Sequence, residues 1–125
     1  MSITTAINTY LDIIKSRYST GISTEHTYRA DLQTLLYDIC ADVVVTNEPK
    51  RQACGAPDYI ITNKKNIPIG YIEAKDIGKS LDSKEYKEQF DRYRKSLDNL
   101  IITDYLEFKF YRNSEEVISI SIAKI

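Results

Sequence analysis

Two short runs in this chain, Pro57-Asp58 and Glu73-Ala74-Lys75, have the residue types and spacing of a site for a hard cation. Residues two apart on a strand point to the same face. Ile69, Tyr71, Glu73 and Lys75 therefore share one side of a strand, and Ile72 and Ala74 the other. A carboxylate and an ammonium emerge together at the end of a segment whose start is apolar. If the turn-forming stretch Asn63 to Asn66 closes a hairpin, Asp58 returns beside Glu73 and Lys75, and two carboxylates stand close enough to share one ion. Mg²⁺ takes oxygen ligands, usually one or two carboxylates with waters and a substrate phosphate. Asp58 and Glu73 supply the carboxylates, and the backbone carbonyl of Ala74 a neutral ligand. Such a metal lowers the pKa of a bound water and neutralises charge building on phosphorus. Lys75 would orient or deprotonate that water and stabilise the extra negative charge of the transition state. An acid and a lysine two apart are commonly no more than an ion pair on a solvated face. The preceding Pro57-Asp58, the apolar approach to both runs and the hairpin spacing give this pair its weight.

The elements that must position these residues are legible in the periodicity. Thr4 to Lys15 places Ile7, Tyr10, Leu11 and Ile14 at helical spacing, and a loop around Gly21 follows. Ser23 or Thr24 can cap a second helix, with Tyr28, Leu32, Leu35, Leu36 and Ile39 as its apolar stripe. Glu25 shares the inward face near that helix start, either as a partner for the free N–H groups or as a group aimed into a site. The β-branched run within Ala41 to Thr46 predicts a buried strand. Asp58 to Thr62 and Ile67 to Lys75 predict the next two. Lys84 to Leu97 is a helix with Tyr86, Phe90, Tyr93 and Leu97 on one face, long enough for a crossover between parallel strands. Leu100 to Ile102, Leu106 to Tyr111 and Val117 to Ile122 are three further strands, the last pair a hairpin through Arg112 to Glu115. The order α-α-β-β-β-α-β-β-β predicts an α/β fold, a mixed central sheet flanked by helices.

Composition narrows the function classes. The 125 residues fit one domain, and 42% hydrophobic with 28% charged residues is the balance of a globular chain rather than a disordered one. No apolar stretch approaches a membrane span, and the N-terminus lacks a secretory signal, so a cytoplasmic location without membrane partners is expected. Cys40 and Cys54 lack CxxC spacing, and only His26 could join them, so two buried or free thiols are expected rather than a zinc site. His26 itself reads as surface or capping. Gly78-Lys79-Ser80 lacks the upstream glycine and helix context of a phosphate loop. With 17 basic against 18 acidic residues, the net charge of −1 lacks the cationic surplus of a self-sufficient nucleic-acid binder. Lys64-Lys65, Lys79 and Arg92-Arg94-Lys95 alternate with acids and read as solvated faces. Any grip on DNA would come from a local basic patch or from another domain.

The Pro57-Asp58 and Glu73-Ala74-Lys75 pattern resembles the PD-(D/E)xK nuclease superfamily. From Gly55 through Tyr111, the runs Gly-Ala-Pro-Asp-Tyr-Ile, Pro-Ile-Gly-Tyr-Ile-Glu-Ala-Lys-Asp-Ile-Gly-Lys and Asp-Tyr-Leu-Glu-Phe-Lys-Phe-Tyr are similar to the N-terminal endonuclease domain of single-chain type IIG and type ISP restriction-modification enzymes. The resemblance implies a restriction-endonuclease-like core, with residues 1–125 forming one nuclease domain at the N-terminal end of a larger polypeptide. It implies Mg²⁺, with Mn²⁺ as a substitute, double-stranded DNA as substrate, and methyltransferase and target-recognition domains in the parent chain. Dimerisation for double-strand cleavage would be compatible with it. Asp58 and Glu73 would be metal ligands and Lys75 the catalytic lysine. Glu25 matches an acidic residue carried before the sheet, able to reach a metal-bound water or a second ion. Gln89 and Tyr93 match a Gln-x-x-x-Tyr element, with Gln89 positioning Lys75, a phosphate or a backbone group. The alternatives are a non-catalytic nucleic-acid or protein interaction module of the same fold, or a small stand-alone DNA repair nuclease. The base sequence recognised is not encoded in a phosphate-directed site.

Overall fold

A computed structural model of the chain describes residues 2–21, 25–47 and 55–123. The capping positions Ser23 and Thr24, the side chains of Glu25 and His26, and Cys54 lie outside that description. Helices α1 (Ile3–Thr20) and α2 (Glu25–Ile39) precede β1 (Val43–Asn47), β2 (Tyr59–Asn63) and β3 (Pro68–Ala74). Helix α3 (Lys84–Ser96) then leads to β4 (Leu100–Thr103), β5 (Glu107–Arg112) and β6 (Glu115–Ser121). The six strands form one mixed sheet in the order β1-β2-β3-β4-β5-β6. Only β3 and β4 run parallel, joined through α3 as the crossover length predicted, and the other neighbours are antiparallel.

The two sides of the sheet bury different helices because strand side chains alternate. Ile72 and Ala74 of β3, with Val45 and Tyr59, pack under α1 and α2 through Ala6, Tyr10, Ile14, Tyr28, Leu32 and Leu35. Tyr71 turns the other way and joins Leu100 and Ile102 beneath α3, against Phe90, Tyr93 and Leu97. This is an α/β sandwich with a restriction-endonuclease-like arrangement. No helix among the described residues is long and apolar enough to cross a membrane.

Local chemistry explains most boundaries. Ser2 caps α1, its Oγ accepting the Thr5 N–H at 3.1 Å. The helix runs past Lys15 to Thr20, further than the apolar stripe predicted. Its polar last turn is closed by Gly21 in the left-handed conformation, whose N–H donates to the Tyr18 carbonyl. The β2–β3 turn is held by the Asn63 side chain, which accepts from the Lys65 and Ile67 N–H groups at 2.9 and 3.0 Å. Asn113 and Ser114 both adopt positive φ, as a two-residue β5–β6 turn requires. The guanidinium of Arg94 donates to the Ser114 carbonyl at 2.8 Å and ties that turn to α3.

The first strand corrects the sequence expectation. β1 is an edge strand in which only Val45 is buried, while Val44 is exposed. A β-branched run satisfies the pleat of an edge as well as that of a centre, so the triple valine carries no information about position in the sheet. Cys40 is a free, exposed thiol just after α2.

Candidate active site

β2 and β3 deliver the two acids to one end of the sheet. Their antiparallel ladder ends at the pair Tyr59 and Ile72. One step further the Asp58 side chain takes over from the backbone, its Oδ2 accepting the Ala74 N–H at 2.8 Å. The N–H and C=O of a strand residue project toward the same neighbouring strand. The Ala74 carbonyl therefore projects to the side on which Asp58 sits. The hairpin register on which Asp58 depended is the one found.

Glu73 is 4% exposed, on the face opposite Ile72 and Ala74. Its Oε1 is buried with no hydrogen-bond partner among the described residues, and its Oε2 lies 3.3 Å from Lys75 Nζ. Burial first, and then the charge of Asp58, push the Glu73 carboxyl up to about 7, with Lys75 opposing the rise. Lys75 follows the end of β3, where its N–H donates to the Thr103 carbonyl at 2.8 Å and continues the parallel ladder onto β4. Its ammonium sits 4.8 Å from the centre of the Tyr86 ring and 5.8 Å from that of Phe90. Cation–π attraction thus seats the lysine on α3 without consuming its N–H donors.

Asp58 has a second cation. Arg29 Nη2 donates to its Oδ1 at 2.6 Å, with both side chains largely buried. The Arg29 carbonyl accepts from the Tyr59 hydroxyl at 2.9 Å, so side chain and backbone of one α2 residue both grip β2. Sequence reasoning passed over Arg29. The available signal was its position four residues after Glu25, which puts a charged group beside the inward stripe of Tyr28 and Leu32. Tyr86 was assigned only to the apolar face of α3, and its place under Lys75 depends on the crossover packing back on the sheet.

The remaining predicted residues divide. Glu25 opens α2, but its side chain lies outside the described residues. Gln89 is half-buried on α3, and among the described residues no hydrogen bond joins it to Asp58, Glu73 or Lys75. Tyr93 is buried in the core beneath α3. There it meets Gly55, whose φ of +128° suits glycine and where a Cβ would stand 3.0 Å from the Tyr93 hydroxyl. The segment entering Pro57-Asp58 thus lies on the Tyr93 ring. Gly55→Ala is expected to destabilise the protein by about 2 kcal/mol or more. Thermal unfolding measures this, and an unchanged midpoint would remove Gly55 from the site's supports. Three of the five basic residues of α3 are paired locally, Lys87 and Arg94 with Asp91 and Arg92 with Glu88, as expected for a solvated face.

Among the described residues no group of three or more His, Cys, Asp or Glu side chains converges. Two carboxylates, one carbonyl on the same side and an unpartnered buried oxygen match a hard ion completed by water and a phosphate. They do not match a protein cage for a softer metal.

No protein-family model and no curated protein matches the chain. Among solved structures, it superposes on a chain of the cryo-EM structure of a DrdV–DNA complex with a TM-score of 0.79 and 23% identity. The match covers 97% of this chain and 12% of that one, so the whole of this fold occurs there as a small part of a much longer polypeptide.

Proposed function

We propose that this domain is a Mg²⁺-dependent DNA endonuclease, the cutting module of a restriction-modification enzyme. The observation that carries the proposal is the meeting of Asp58, Glu73 and Lys75 at one end of β2 and β3, with a buried Glu73 oxygen that has no hydrogen-bond partner among the described residues. The fold it shares with part of a chain in a DNA complex supports the same direction, as does the sequence resemblance of Gly55 through Tyr111.

Asp58, Glu73 and the Ala74 carbonyl would hold the ion, with Mn²⁺ able to replace Mg²⁺. When bound, it supplies an acidified water and neutralises charge on the phosphoryl oxygens. Lys75, tethered by Glu73 and seated on Tyr86, presents N–H donors to the water and to the oxygen that gains charge. The rings of Tyr86 and Phe90 lie beside the Lys75 ammonium. Glu25 and Gln89 are accessory candidates, Glu25 toward a metal-bound water and Gln89 toward the phosphate. Near-neutral net charge leaves most DNA binding to other parts of a larger polypeptide, where methyltransferase and target-recognition domains would sit. A second cutting domain would serve the opposite strand.

The deciding experiment is Mg²⁺-dependent nicking or cleavage of double-stranded DNA by the complete polypeptide. Asp58→Ala should abolish cleavage while leaving the protein folded, and persistent cleavage would overturn the proposal. One observation favours a non-catalytic interaction module instead. Each acid already has a cation, Arg29 on Asp58 and Lys75 on Glu73, as in a purely structural network. Calorimetric titration with Mg²⁺ or Mn²⁺ separates the two, because that module has no need of a metal.

A further inference from the structure

Asp58 is the most heavily engaged group at the site, and its partners differ in kind. Oδ2 is fixed by the Ala74 N–H, part of the sheet itself. Oδ1 is held by a side chain, the guanidinium of Arg29, at 2.6 Å. The Arg29 backbone is anchored through Tyr59, so α2 need not move for the side chain to swing away. The pair is 12% and 13% exposed, dry enough for its attraction to be strong. Beside it, Glu73 keeps its own cation on Oε2, and its Oε1 has no partner among the described residues. Two acids and two cations thus leave the cluster formally neutral.

We infer that Arg29 is a positioning residue that stands in for the metal on Asp58, so that the Arg29–Asp58 ion pair and the bound cation exclude each other. This rests on the proposed metal-dependent function. A Mg²⁺ ion bonds a carboxylate oxygen at about 2.1 Å. With the guanidinium still on the same oxygen, two cations would face each other across it at about 4 Å in a poorly solvated site. The guanidinium therefore yields Oδ1 when the metal binds. In the metal-free protein it holds Asp58 in place and offsets part, not all, of the charge that Asp58 sets against Glu73. The site is built before the ion arrives, and part of the metal's binding energy goes into displacing Arg29. An ordinary structural ion pair would make a different forecast: losing Arg29 would lower stability and leave metal affinity unchanged or weaker.

The test is Mn²⁺ titration of the complete protein, followed by calorimetry and by the electron paramagnetic resonance of free Mn²⁺. Arg29→Gln is expected to bind Mn²⁺ about tenfold more tightly than the wild type. It should be less heat-stable in chelator, with the deficit narrowing at saturating Mn²⁺. Arg29→Lys, which keeps the charge, should return affinity toward the wild-type value. Equal or weaker Mn²⁺ binding by Arg29→Gln, where Asp58→Ala has lost binding, would overturn the exclusion while leaving the metal site standing. Wild-type binding retained in Asp58→Ala, or no binding by any variant, would overturn the metal-site reading and this inference with it. If Arg29→Gln does not fold, the wild type still decides. The slowly rotating Arg29 guanidinium signal of the ion pair, followed by ¹⁵N nuclear magnetic resonance, should vanish on Mg²⁺ saturation, and its persistence in the metal-bound protein would overturn the exclusion.

Discussion

Lys75→Met is expected to leave the domain folded and lower Mg²⁺-dependent cleavage by the complete polypeptide about 10²- to 10⁴-fold. Methionine keeps an unbranched apolar side chain of similar length, and what disappears is the ammonium, 3.3 Å from Glu73 and beside the Tyr86 and Phe90 rings. Among the described residues that ammonium is the cation paired with Glu73, and its N–H donors are not consumed by the rings beneath it. Metal titration should still show binding by Lys75→Met, because the oxygen ligands are untouched. A loss of cleavage with metal binding retained assigns Lys75 to the chemistry. Cleavage within a few-fold of the wild type would show that Lys75 only neutralises Glu73.

Glu73→Gln is expected to stabilise the metal-free protein at alkaline pH by about 2 kcal/mol, a rise in Tm of about 5–10 °C. The Glu73 carboxyl is raised from 4.5 to about 7 because burial and Asp58 both disfavour its charge. A folded-state pKa above the unfolded one means that the folded chain holds the proton more tightly. Stability is therefore full below about 4.5, falls as pH climbs toward 7 and levels off above, with the carboxylate charged and poorly solvated. Glutamine has no proton to lose, so the two proteins should converge toward pH 5, diverge as pH rises to about 7 and keep a constant difference above it. Saturating Mg²⁺ should reverse the order at pH 8, since only the carboxylate binds the ion well. Unfolding midpoints across pH 5 to 9, with chelator and with Mg²⁺, measure both effects. A difference independent of pH would mean that the Glu73 carboxyl titrates in its ordinary range. Such stored destabilisation is expected where groups are held for chemistry rather than for stability.

Much of this architecture was legible because it depends on short-range periodicity. α3 shows its buried face as Tyr86, Phe90, Tyr93 and Leu97, and the structure uses that face. Glu73 and Lys75 had to share one side of β3, since alternation along a strand is local geometry. Asp58 joined them through the Asn63 turn, whose side chain closes the hairpin by bonds within five residues. The place of β1 at an edge was not legible, because a valine run meets the same local demand at a centre or an edge. The extra turn of α1 was missed because helix stripes are read from apolar residues and its last turn has none facing the core.

By itself, then, the amino-acid order determined the element sequence, the two sides of β3 and the set Asp58, Glu73 and Lys75. All of these follow from interactions among residues near one another in the chain. Tertiary structure alone decided how that set is held. Arg29 reaches Asp58 across 29 residues of chain, and Tyr86 comes under Lys75 only after α3 folds back over the sheet. The burial that raises Glu73 exists only once the sheet has closed around it. Ion pairs, ring contacts and desolvation act through space, and neither spacing nor composition encodes which distant side chains will meet.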